Sequence, residues 1–201
     1  MSMRAPRVSL PAAARAALLL FVCLAVPGMA AARECDGISF PDHIQAHGGT
    51  LTLNGLGLRK ATVFGIKVYV GALYVSRPTA DAAAILSSKE PVEMELRFTF
   101  HVTAGQLRDA WREGFEKSAP RQLPQLQGRI AQLNGWMRSV GSGQRMTFLR
   151  IPGVGIEYAL DGAVQGTIPG DDFATAFLAI WLGSSPPNQA LRAGLLGGDC
   201  T

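Results

Sequence analysis

Residues Leu51 to Arg59 read L-T-L-N-G-L-G-L-R, and after a short gap Phe64 to Val75 read F-G-I-K-V-Y-V-G-A-L-Y-V. The first stretch alternates loosely around Asn54-Gly55 and Gly57, which predicts a strand or hairpin carrying a bulge. The second belongs to a β-branched and aromatic run from Thr62 to Ser76. Its even positions, Phe64, Ile66, Val68, Val70 and Tyr74, form a continuous apolar face. Its odd positions, Gly65, Lys67, Tyr69 and Gly71, set polar groups beside residues that have no side chain. A strand with one packed face and one partly vacated face can line a pocket, or it can simply be half exposed.

Working outward, Pro78 to Ser88 is an Ala-rich helix and Val92 to His101 is the cleanest alternation in the chain. Met94, Leu96, Phe98 and Phe100 point one way and Glu93, Glu95, Arg97 and Thr99 the other, as in an antiparallel sheet with one covered and one wet face. His101 ends this strand on its polar side, in a structural place. Two helices are expected next. Thr103 caps one whose stripe is Leu107, Trp111, Gly114, Phe115 and Ser118, and the other runs from about Leu123 to Val140, ended by Gly141-Ser142-Gly143. Short strands are expected near Met146–Ile151, Gly155–Leu160 and Val164–Ile168, with Asp161-Gly162 as a two-residue hairpin turn. Gly170-Asp171-Asp172 opens a helix whose acidic first turn suits the positive end of its dipole, and a last helix covers Asn188 to Leu196. No repeat or linker divides the chain, which reads as one α+β domain.

The 201 residues carry 19 Lys+Arg against 15 Asp+Glu and are 48% hydrophobic. Arg4, Arg7 and Arg15 lie in the first 32 residues without acidic neighbours, so the remaining body is nearly neutral. It has no basic cluster of the kind that releases counterions from nucleic acid, and a nucleic-acid partner is excluded. The same opening segment has a charged start, an apolar stretch from Ala16 to Val26, a Pro27-Gly28 break and the small run Ala30-Ala31-Ala32. This is the pattern of a secretory signal peptide over residues 1–32, with the mature domain at 33–201. Its apolar stretch is short of the ~20 residues of a spanning helix, and no later stretch is long enough, so no membrane span is expected after cleavage. An exported, periplasmic protein is implied. Cys23 leaves with the signal, and Cys35 and Cys200 remain. In an oxidising compartment an even pair reads as a disulfide, the alternative being two free thiols on frayed termini.

Motifs for nucleophilic catalysis, phosphate binding and dinucleotide binding are missing, and no cofactor is expected. His43 and His47 are four apart but sit beside Pro41 and Gly48-Gly49, and they read as loop histidines, not metal ligands. Asp171 and Asp172 are explained by the start of their helix.

The quoted stretch, read together with F-A-T-A-F-L-A-I-W-L-G-S-S-P-P from Phe173 to Pro187, resembles the chalcone isomerase-like family, and within it the bacterial exported members. The resemblance runs from about Phe40 to Gly197. It implies an open-faced β-sandwich, a large antiparallel sheet with a layer of helices on one side. It also implies the positions of a catalytic set. Arg59 matches the family's arginine, but Tyr69 stands at the first threonine, Leu107 and Gly114 at a tyrosine and an asparagine, and Ile180 at the last threonine. The polar groups that would organise a ketone are therefore replaced. The non-catalytic, fatty-acid-binding branch is the better match, and there Arg59 and Tyr69 correspond to the pair that receives a carboxylate. The expected function is binding of a small amphipathic carboxylate such as a fatty acid, with Arg59, Tyr69 and the vacated face at Gly65 and Gly71 as its basis. The competing readings are a chalcone isomerase-type intramolecular lyase, and an envelope interaction protein whose pocket is filled by its own side chains.

Overall fold

In the computed structural model, residues 31–61 and 65–201 are described. The expected signal segment falls outside them except for its last two residues, as do Cys23 and Phe64. A first hairpin is formed by β1 (Ala32–Cys35) and β2 (Ile38–Pro41). Its turn uses positive φ at Asp36 and Gly37, the geometry that two-residue turns require. The main sheet contains β3 (His43–Ala46), β4 (Gly49–Ala61), β5 (Ile66–Val75), β6 (Val92–Phe98), β7 (Arg145–Ile151), β8 (Gly155–Leu160) and β9 (Ala163–Pro169). These seven strands are antiparallel and lie side by side in chain order. Five helices are interspersed: α1 (Ala82–Ser87), α2 (Ala104–Ser118), α3 (Leu123–Trp136), α4 (Asp171–Leu182) and α5 (Gln189–Leu195).

All five helices contribute to one buried cluster with Leu73, Met94, Leu96, Phe98, Met146, Phe148, Ile156, Tyr158 and Ile168, so they cover a single face of the sheet. That is the expected open-faced sandwich. At its centre Trp111 meets Phe148, Phe177 and Trp181 at centroid distances of 5.6–5.8 Å. Such rings contribute large apolar burial with defined edge-to-face geometry.

The other face is not simply wet. The β1–β2 hairpin covers part of it, packing Cys35 and Phe40 against Leu51, Leu53, Leu56, Leu58, Val70, Ala72 and Tyr74. Glu95, expected in solvent, is buried there with Arg97 as its ion-pair partner, and the Arg97 guanidinium lies 5.2 Å above the Phe40 ring. Burial raises the Glu93 carboxyl to about 7, helped by the charges of Glu95 and Glu157 and opposed by Arg145. A carboxylate with a raised folded pKa binds its proton more tightly when folded. Its stabilising contribution is therefore complete below about pH 4.5 and lost as pH rises towards 7. Glu93→Gln is expected to raise stability at pH 8 by on the order of 2 kcal/mol and to leave it unchanged at pH 4, in urea unfolding at the two pH values.

Other boundaries shift for local reasons. Helix α3 stops at Trp136 instead of near Val140, because Met137 takes an extended backbone and Val140 pairs with Val102. Gly141-Ser142-Gly143 therefore leads into β7 and does not cap a helix. Thr103 caps α2 in a reciprocal capping box with Gln106, as the sequence indicated. Asp171 and Asp172 do more than face a dipole. The Asp171 carboxylate accepts the Gly153 N–H at 2.9 Å, and Asp172 takes both Arg129 nitrogens at 2.6 and 2.7 Å, which holds its carboxyl down at about 2. Cys35 and Cys200 are bonded, so the first strand is tied to the chain segment that follows α5.

Candidate functional site

A cavity of about 350 Å³ opens between the sheet and the helix layer, at the end of the sheet where β4 stops and β5 begins. This lies at the small end of the ~300–1,000 Å³ typical of small-molecule sites. Arg59 and Tyr69 both line it. They are direct cross-strand partners in the β4–β5 ladder, so their side chains leave the same face of the sheet.

Two bulges produce this arrangement. The ladder passes from Leu53↔Tyr74 to Gly55↔Leu73, leaving Asn54 as an extra residue, and from Arg59↔Tyr69 to Lys60↔Lys67, leaving Val68 as another. Side-chain direction has period two, so each extra residue reverses the face on which later residues lie. The expected continuous even-numbered face of β5 is therefore broken. Val70, Ala72 and Tyr74 pack under the β1–β2 hairpin, whereas Ile66, Val68 and Tyr69 all reach the cavity.

The vacated face also has a different use from the one expected. Gly71 does not open onto the cavity. The Cδ atoms of Leu191 and Leu195 cover it, both in ordinary contact distance at 3.5 Å from a Cβ built there. Gly65 lies in the turn before β5 at φ +67°, in the left-handed region that favours glycine.

Tyr69 is held by Trp181, whose indole N–H donates to the phenol oxygen at 3.0 Å. Its ring is edge-on to Phe98. Burial raises the phenol pKa further than the Trp181 hydrogen bond and the Arg59 charge lower it. Tyr69 is thus a neutral donor at neutral pH, with its acceptor side occupied and its own hydrogen available. The Arg59 guanidinium donates to the Lys60 carbonyl and has no carboxylate partner among the described residues.

The rest of the lining is mainly apolar, including Leu96, Phe98, Leu107, Trp111 and Ile180, with Gln106, Glu113 and Lys117 along one side of α2. Leu107, Gly114 and Ile180, the positions aligned with polar catalytic residues, all face the cavity. They bring no donor to it. Ile180 fills the place a Gly114 side chain would take, with Cγ2 2.9 Å from a Cβ built there. His101, assigned a structural place on the strand, instead lines the cavity beyond the end of β6. Reading its alternation past Phe98 hid this, because the strand stops there. His43 lies on β3 with Nδ1 3.3 Å from the Thr52 hydroxyl, and His47 sits in the β3–β4 turn, so no helix brings them to one face.

None of the curated proteins matches the chain in sequence. Among solved structures it is similar to a fatty-acid-binding protein of Arabidopsis thaliana, with a TM-score of 0.63 at 17% identity over 80% of this chain and 92% of that one. The likeness is one of fold. Residues 32–197 match the family model described as chalcone isomerase-like, and the chain belongs to the chalcone isomerase-like family.

Proposed function

We propose that this is an exported, non-enzymatic protein that binds a small amphipathic carboxylate, such as a fatty acid, in the cavity between sheet and helices. The observation that carries the reading is the cross-strand pairing of Arg59 with Tyr69 at an apolar cavity. A guanidinium offers two parallel donors to a carboxylate, the Tyr69 phenol adds a third, and the surrounding side chains hold a tail. The similarity in fold to a fatty-acid-binding protein supports the same ligand class. Leu107, Gly114 and Ile180 leave a bound ketone without side-chain donors, which favours a carrier over a lyase. The open cavity favours a ligand over a pocket filled from within. The Cys35–Cys200 bond supports an oxidising compartment, and among the described residues no helix is long and apolar enough to cross a membrane.

Titration with cis-parinaric acid, whose fluorescence rises in apolar surroundings, tests the reading. Arg59→Ala is expected to weaken binding ten- to a hundredfold, the ~1.5–3 kcal/mol of a charged hydrogen bond, while the circular dichroism spectrum stays unchanged. Tyr69→Phe, which removes a neutral donor, should cost several-fold. Affinity unaltered by Arg59→Ala overturns the proposal. Export is checked separately by N-terminal sequencing of the purified protein, with Arg33 as the expected first residue.

A further inference from the structure

Among the described residues four large apolar side chains are exposed: Ile66, Phe100, Val154 and Val164. Two of them, Ile66 at 38% and Phe100 at 50% exposure, belong to the cavity rim. They come from the start of β5 and from just beyond β6. Thr99 links these segments, its N–H donating to the Val68 carbonyl at 2.9 Å and its hydroxyl to the Lys67 carbonyl at 3.1 Å. An exposed phenylalanine beside an open apolar cavity is unfavourable in water unless another apolar phase meets it.

The charges at this end have one prevailing sign. Lys60 and Lys67 face each other across the ladder on the side of the sheet away from the cavity, and Arg59 and Lys117 line the cavity. The carboxylates among them are Asp36, paired with Lys67, and Glu113, paired with Lys117. Arg59 and Lys60 form no ion pair among the described residues. An apolar tip with an excess of cations on both faces of the sheet end is complementary to a surface with anionic headgroups over hydrocarbon. Aromatic side chains settle at the headgroup level, and each cation adds attraction to anionic lipid.

We propose that the Ile66–Phe100 rim docks reversibly on anionic phospholipid bilayers, so that the cavity exchanges its ligand with the membrane directly. This rests on the carboxylate-binding reading. An amphipathic acid partitions into bilayers, and a mouth that touches the bilayer spares it a passage through water. Insertion is confined to side chains at the rim.

Flotation of protein purified after expression of the full chain tests this, with vesicles of phosphatidylcholine and of an equimolar phosphatidylcholine–phosphatidylglycerol mixture. The wild type is expected to float with the anionic vesicles only, and less as salt is raised. Phe100→Ser and Lys60→Glu should each lower the floated fraction about fivefold or more. Val164→Ser, an exposed apolar residue on the edge strand β9, should not change it. Lys60→Glu separates docking from ligand capture, because cis-parinaric acid binding in solution is read on the same sample. Failure of the wild type to float, or equal loss with Val164→Ser, overturns the docking proposal. Failure to bind cis-parinaric acid in solution while still floating overturns the carboxylate reading instead.

Discussion

Gly57→Val is expected to destabilise the protein by ~3 kcal/mol or more, read as a fall of about 10 °C in Tm. A Cβ at this position would lie 2.3 Å from the Leu191 carbonyl oxygen, 2.8 Å from Leu191 Cδ1 and 3.0 Å from the Leu191 carbonyl carbon. Two of these are backbone atoms, so rotating a side chain does not relieve the clash and α5 must move away from β4. Gly55 is in the same position against the carbonyls of Gly194 and Leu195, at 2.1 and 2.6 Å. The α5 backbone is seated directly on the β4 backbone. Asn54, the bulged residue, fastens the seat: its side-chain NH₂ donates to the Leu195 carbonyl at 2.8 Å and its oxygen accepts the Thr79 N–H at 2.7 Å. Gly128→Ala is the contrast. Nothing lies within 4 Å of a Cβ there, and the residue is exposed inside α3. That exchange should stabilise by about 0.5–1 kcal/mol through helix propensity and loss of unfolded-state freedom. If Gly57→Val unfolds at the wild-type temperature, α5 is not packed against β4 as described.

Replacing both Cys35 and Cys200 by Ser should cost ~3–5 kcal/mol. The bond closes a loop spanning 165 residues, and long loops lose the most unfolded-state entropy when closed. Its position sharpens the expectation. Cys35 is buried with the β1–β2 hairpin on one side of the sheet, and Cys200 packs against the same cluster after the chain has come round from α5 on the opposite side. The bond therefore joins the two layers, and its loss loosens both coverings. Wild type in excess reductant should match the double serine variant in urea midpoint. A wild type indifferent to reductant would mean that the two packed layers hold the ends without help.

The antiparallel meander and its helices were largely legible in the sequence, because β6, α2 and α4 have clean periods and β8–β9 has its Asp-Gly turn with positive φ at both residues. Arg59 and Tyr69 were legible only through resemblance to a family. Spacing alone could not place them on one face, since that depends on two residues, Asn54 and Val68, being extra to the ladder. The loose alternation around Asn54 did signal the first. The second was hidden in an even-numbered apolar pattern that looked unbroken, because isoleucine, valine and tyrosine all suit either side of the sheet. Gly57 and Gly71 showed that something comes close, but a missing side chain looks the same whether a ligand or a helix fills the space. The covered second face was hidden for a similar reason: Glu95 and Arg97 are charged, and their burial depends on pairing with each other beneath Phe40.

The extra residue at position 54 lets this strand change length without turning its far end over. Loss of that single codon would close the ladder, with Leu53 still opposite Tyr74, the following glycine opposite Leu73, and Arg59 still beside Tyr69 on the cavity face. Lineages descended from a common ancestor can thus gain or lose a residue here and keep both letters of the pair on one face, losing the Asn54 bond to α5. For this strand, inheritance of the Arg59–Tyr69 pair is better traced by the residues themselves than by the length between Leu53 and Arg59.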